Sequence, residues 1–266
     1  MKPESWSAAK CSAYLPKPKK SDHKYRRGVL GCITGSKQYP GAALLTTSAA
    51  LAVGIGMVRY FGPEEVKKAV VQNRPEVVIQ TGNVNAYLMG SGIPAKKSLL
   101  RKMAMEMANR ADLPKVLDAG ALYLTGASKS PTIITPHAGE LADLLKVESV
   151  KIEADSIYYA LDAARRFKVT VLLKGSKTVV ANENRVIQLP AATSWLATAG
   201  TGDVLAGILG ALIALNHEVA NKENLIELGA TASYIHAQSA AHSSKGPIDA
   251  GKLIDYISKE VARLSK

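Results

Sequence analysis

The chain has 266 residues, 47% of them apolar and only 5% aromatic, with 21 glycines and a formal net charge of +12. At about 150 residues per domain this suits one large α/β domain or two small ones, and it excludes disordered, collagenous and disulfide-built chains. The longest apolar run, 204–215, is shorter than the roughly 20 residues a bilayer needs.

The N-terminus lacks the apolar stretch of a secretory signal. Cys11 and Cys32 have no metal-ligand spacing, so two reduced thiols in a cytoplasmic protein without a membrane span are expected. Residues 1–30 carry eight basic residues against two acidic ones, half of the net excess. Pro16 and Pro18 there favour an extended, exposed and dispensable chain, the alternative being that Trp6 docks on a neighbouring subunit. The expected organisation is a basic N-terminal extension at 1–21 and a single domain at 22–266. Only Tyr25 in PKPKKSDHKYRRG could stack on a base. A small phosphate-bearing ligand therefore suits the basic edge better than nucleic acid does.

In chain order, 28–34 reads as a strand, followed by the turn-rich GSKQYPGA and a helix of small residues. Residues 57–62 read as a strand, 63–70 as a helix with Pro63 at its first position, and 76–80 as a strand. Strand 86–90 ends at Gly90-Ser91-Gly92, and 96–111 reads as a helix. KVLD and TIIT are further strands, with helix GELADLLK after the second, and 154–167 is helical. Three strands joined by tight turns follow (VTVLLKG, TVVAN, RVIQLP), then helices at 201–215, 225–242 and 248–264. Strands alternating with helices predict a mainly parallel central sheet covered on both faces. Ligands of such sheets gather at the carboxyl ends of the strands.

The strongest local signal is ATAGTGDVLAGILGAL at 197–212. Gly200, Thr201 and Gly202 form a turn whose successive amides, aided by the helix dipole, can receive a phosphate. Asp203, at the helix start, either caps the helix or takes a proton from an attacking hydroxyl.

The segments 22–60 (DHKYRRGVLGCITGSKQYPGAALLTTSAALAVGIGMVRY), TPHAGE at 135–140, LLKGSKTVVA at 172–181 and ATAGTGDVLAG at 197–207 together resemble the ADP-dependent NAD(P)H-hydrate dehydratase family in order and spacing. The resemblance implies a ribokinase-like α/β fold without the epimerase domain some members carry. It implies Ala42, Gly92, His137 and Asp203 on the hydrated dinucleotide, and Lys174, Gly175, Ser176, Lys177, Thr178 and Gly202 on the AMP portion of ADP. It further implies a magnesium ion that Glu140 helps to hold through water, and assembly into a homo-oligomer, a tetramer in relatives. Where the family has Gly-Pro-Gly, this chain has Gly90-Ser91-Gly92, and serine is expected to loosen the turn.

The implied reaction is repair of the S epimer of hydrated NADH and NADPH. Asp203 acts as catalytic base while the terminal phosphoryl of ADP moves to the ring hydroxyl, which then leaves as phosphate. Two other readings stay open. One is a kinase of the same fold acting on the hydroxymethyl group of a vitamin precursor. The other is a non-catalytic nucleotide-binding protein.

Overall fold

The computed structural model describes residues 2–94, 99–109, 113–127 and 130–265. Its strands are β1 (Glu4–Ser5), β2 (Val29–Ile33), β3 (Met57–Tyr60), β4 (Ala86–Met89), β5 (Lys115–Leu117), β6 (Thr132–Ile134), β7 (Thr170–Leu173), β8 (Val179–Ala181) and β9 (Val186–Gln188). The helices are α1 (Ala8–Ser12), α2 (Pro40–Ala52), α3 (Glu64–Asn73), α4 (Leu99–Ala108), α5 (Ala138–Leu145), α6 (Ser149–Ala154), α7 (Ser156–Phe167), α8 (Thr201–Leu215), α9 (Leu225–Ser243) and α10 (Ala250–Leu264).

The strands form one sheet in the order β1-β9-β8-β7-β6-β5-β4-β2-β3, with β8 alone antiparallel to its neighbours. Alternation along β2 explains the layering. Leu30 and Cys32 face one side with α2, α8, α9 and α10, whereas Val29 and Ile33 face the other with α4, α5, α6 and α7. α8 is buried nearly all round because its small residues admit neighbouring backbone. A Cβ on Gly207 would stand 2.4 Å from the Thr46 carbonyl of α2. Among the described residues, no helix is long and apolar enough to cross a membrane.

Several local expectations are corrected. Residues 76–80 are not a strand, since only Val78 pairs there, with Arg59. Pro63 precedes α3 as its cap residue, with extended backbone, instead of opening the first turn. The helix expected at 154–167 is α7, which starts two residues later, because Asp155 leaves helical geometry and accepts a hydrogen bond from the Tyr158 N–H; the short helix α6 before it was not expected. The ends of the helix expected at 96–111 lie outside the described residues at 96–98, 110 and 111.

The largest correction concerns the N-terminus. Residues 16–21 are exposed, as their prolines and lysines suggested, but residues 4–15 dock on the domain. β1 pairs with β9, Trp6 is buried and donates from its indole N–H to the Thr231 hydroxyl at 3.3 Å, and Cys11 and Leu15 are buried. Arg185 binds both Glu4 and Glu227, pinning the new edge strand to α9. The charge pattern concealed three apolar anchors that the helix layer could receive.

Candidate active site

The chain leaves the sheet at adjacent strand ends, and these exits build the site. Ser91 lies just after β4, Asp118 just after β5, Thr135 just after β6 and Lys174 just after β7. α8 closes it from one side. Its cap residue, Gly200, has φ +89°, and a Cβ there would stand 2.6 Å from Leu45 Cδ1. Both the left-handed backbone and the close approach call for glycine. The Thr201 hydroxyl turns backward, donating to the carbonyls of Leu196 and Thr198. No side chain caps the helix, so its first amides stay open to an anion.

Asp203 lies in this first turn but caps nothing. Its carboxyl is pushed up to about 6, first by burial and then by the negative charge of Asp118, against the pull of Lys174. At neutral pH such a group is ionised yet basic enough to take a proton. Burial would push the Lys174 ammonium down, but Asp118, Glu140 and Asp203 outweigh it and hold the group above its ordinary value. Its Nζ lies 3.1 Å from Asp118 Oδ1 and 3.8 Å from Glu140 Oε2.

Two cavities meet at the α8 turn. One, of about 480 Å³, is lined by Tyr39, Ala42, Gly92, Ile93 and Asp203. Gly92 has φ +69°, and a Cβ on it would stand 2.6 Å from Ala42 Cβ, so the two residues form one bare wall. The other, of about 490 Å³, is lined by Lys174, Gly175, Ser176, Thr178, Gly202 and His236, among others. Lys177 is exposed and lines instead a neighbouring space of about 740 Å³.

His137 borders the second cavity, not the Ala42–Gly92 one. It caps α5 reciprocally with Glu140: its Nδ1 accepts the Glu140 N–H, and Glu140 Oε2 accepts the His137 N–H. That bond places the proton of a neutral ring on Nε2, which lies 3.6 Å from Glu140 Oε2 on a largely exposed side chain. Glu140 Oε2 thus faces three groups: the His137 N–H, His137 Nε2 and the Lys174 ammonium. Among the described residues, no group of three or more His, Cys, Asp and Glu is placed to hold a metal ion. The donor set suits a hydrated magnesium ion contacted by Glu140 through water and otherwise by phosphates, not a protein cage.

The expectation for Ser91 is corrected. Serine does not loosen the turn. Ser91 is fully buried, its carbonyl accepts the Gly35 N–H at 2.7 Å, and its hydroxyl donates to Asp118 Oδ2 at 2.8 Å. Sequence reasoning missed Asp118, although an aspartate ending the strand KVLD was a usable signal. It also missed His236, a buried histidine in the small-residue helix α9. Burial lowers that imidazole to about 4, and its Nε2 has no hydrogen-bond partner among the described residues.

Residues 30–263 match the family profile described as NAD(P)H-hydrate dehydratase. The chain is 36% identical over 276 residues to a bifunctional NAD(P)H-hydrate repair enzyme of Mycobacterium leprae, covering 97% of this chain and 56% of that protein. It therefore spans about half the length of that relative. It is 33% identical over 210 residues to an ADP-dependent (S)-NAD(P)H-hydrate dehydratase of Neisseria meningitidis, covering 72% of this chain and 71% of the relative. The crystal structure of the ADP/ATP-dependent NAD(P)H-hydrate dehydratase of Bacillus subtilis, co-crystallised with ATP and Mg²⁺, superposes with a TM-score of 0.87 at 26% identity, covering 99% of both chains. The fold is ribokinase-like.

Proposed function

The chain belongs to the NAD(P)H-hydrate dehydratase family, and from that premise we propose that it dehydrates the S epimer of hydrated NADH and NADPH at the expense of ADP, regenerating the reduced dinucleotide with release of AMP and phosphate. The observation that carries this reading is Asp203. Its carboxylate lines the Ala42–Gly92 cavity while the adjacent Gly202 lines the Lys174–Thr178 cavity. A proton acceptor thus stands on the wall between a space for the hydrated ring and a space for a nucleotide.

The hydrated ring carries a hydroxyl on C6. Asp203 accepts its proton as the oxygen attacks the terminal phosphorus of ADP, and AMP leaves with the electron pair of the broken P–O bond. The lone pair of the ring nitrogen then expels phosphate from C6, and loss of a C5 proton to water restores the ring double bond. The open amides of α8 and the Lys174 ammonium receive the phosphoryl charge. Ala42 and Gly92 let the ring approach bare backbone, and Gly175, Ser176, Lys177 and Thr178 border the AMP portion. His137 donates from Nε2 to phosphate. Magnesium, held by Glu140 through water, would neutralise part of the phosphate charge. We further propose a cytoplasmic homo-oligomer, a tetramer by family resemblance, with light scattering of the purified chain as its check.

Given hydrated NADH, ADP and Mg²⁺, the protein should restore dihydronicotinamide absorbance and release AMP and phosphate in equal amounts. Asp203→Asn should lower turnover by about 10²- to 10⁴-fold and keep ADP-dependent thermal stabilisation. Phosphorylation of a hydroxymethyl pyrimidine or thiazole with the hydrate untouched would replace this reading by a kinase. Nucleotide binding without either reaction would replace it by a binding protein.

A further inference from the structure

Asp118 has no part in the chemistry above, yet it anchors the floor of the site. It is 2% exposed, and its oxygens accept hydrogen bonds from residues that follow three other strands of the sheet. Oδ2 accepts from the Ser91 hydroxyl at 2.8 Å, and Oδ1 from the Thr135 hydroxyl at 2.7 Å and the Lys174 ammonium at 3.1 Å. A carboxylate meets all three as an acceptor. The Lys174 Nζ that Asp118 holds also lies 3.7 Å from the position a Cβ would take on Gly202, at the mouth of the α8 turn.

We propose that Asp118 is a positioning residue of this site: it holds the Lys174 ammonium against the open turn of α8 and sets a fixed negative charge beside Asp203, so that one buried carboxylate governs both the phosphate-facing cation and the proton acceptor. The proposal rests on the dehydratase reading for the reaction it serves, but the coupling between the three side chains is a property of the ligand-free protein. The charged and titratable groups around Asp203 come from every side. Lys174 faces it from the end of β7 and Asp118 from the end of β5. Glu140 at the start of α5 shares the Lys174 ammonium, and the imidazole of His236 on α9 is held neutral by burial. Of these, Asp118 is the one whose negative charge raises the Asp203 carboxyl, and Lys174 the one that lowers it.

Asparagine at 118 keeps the shape, accepts from Thr135 and Lys174, and can donate to a rotated Ser91 hydroxyl; only the charge is lost. The test follows the Asp203 carboxyl by carbon-13 NMR in the ligand-free protein and the acid limb of kcat/KM for hydrated NADH. In Asp118→Asn the Asp203 midpoint should fall by about half a pH unit or more, and the acid limb should fall with it. In Lys174→Met the midpoint should rise. A folded Asp118→Asn protein with an unmoved midpoint overturns the proposal. Should that variant fail to fold, Lys174→Met is compared with the double variant Lys174→Met/Asp118→Asn, in which no buried ammonium is stranded. The midpoint must again fall when the charge at 118 is removed, and an unchanged value overturns the proposal. A shifted midpoint in a protein that leaves the hydrate untouched would sink the dehydratase reading alone, whereas normal turnover with neither midpoint nor acid limb moved would sink the positioning role alone.

Discussion

Two helices begin beside each other at the carboxyl edge of the sheet, and they are closed in opposite ways. α5 closes on itself through the reciprocal bonds of His137 and Glu140. α8 starts from a left-handed glycine with no side-chain cap, its threonine turned away toward the preceding loop and its aspartate unengaged. Every helix start exposes unpaired amide donors, and a chain satisfies them with its own side chains or leaves them to water and ligands. The difference teaches that the open amides belong to α8, and that the acidic residue in each first turn is engaged differently. Glu140 completes a cap, whereas Asp203 stands beside the opening with its carboxyl pushed up to about 6.

The largest break in this comparison should come from Gly200→Ala. Alanine is disfavoured at φ +89°, and its methyl would meet Leu45 at 2.6 Å. Together these should lower stability by about 2–4 kcal/mol and displace the amides. Denaturant melts and ADP titration check both effects; full ADP affinity in the variant would mean that the phosphate does not rest on this turn.

A smaller effect, of opposite sign, is expected from Asp203→Asn. The Asp203 carboxyl lies above its unfolded value, at about 6, so folding favours the protonated form. The stability this contributes is full below about pH 4 and lost as pH rises through about 6. At pH 8 the wild type carries a half-buried ionised carboxylate that asparagine does not. The variant should therefore be more stable at about pH 8, by about 1–3 kcal/mol, with the gap closing near pH 4. Melting across this range decides it. A less stable variant at pH 8 would show that Asp203 braces the turn after all.

The smallest effect should come from His137→Ala. Loss of one cap is worth about 0.5–2 kcal/mol, a drop of a few degrees in Tm for a chain of this size. Chemical denaturation measures the cost. If turnover also falls by far more than stability, the ring acts on the ligand through Nε2 as well as on its own helix.

Much of this was legible in the sequence, for reasons that can be named. Strands such as VLGCI and TVLL are β-branched and apolar because both of their faces are covered, and α8 begins at Thr201 because Gly-Thr-Gly-Asp can start a helix and Leu215 is its last apolar turn. The Gly-rich turn and Asp203 could be singled out because their geometry is local: a few consecutive residues make both the open amides and the carboxyl beside them. His137 was harder. Its place at a strand end was visible, but its bond to Glu140 and the side of the site it faces depend on how α5 is set against the sheet.

What the sequence by itself determined is whatever depends on near neighbours along the chain: the alternating elements, the mainly parallel sheet they imply, and the glycine-rich turn with Asp203 in the helix turn that follows. What only the tertiary structure decided is whatever needs residues far apart in sequence to meet. Ser91, Asp118, Thr135 and Lys174 carry no shared spacing, and they form one hydrogen-bonded group only because β4, β5, β6 and β7 lie side by side and release the chain at the same edge. The docking of Trp6 on α9 is of the same kind, since a polar, lysine-rich segment advertises solvent until a complementary apolar surface from residue 231 onward is folded against it. Burial and charge coupling arise from such meetings, so the basicity of Asp203 could be read only once Asp118 and Lys174 were seen beside it.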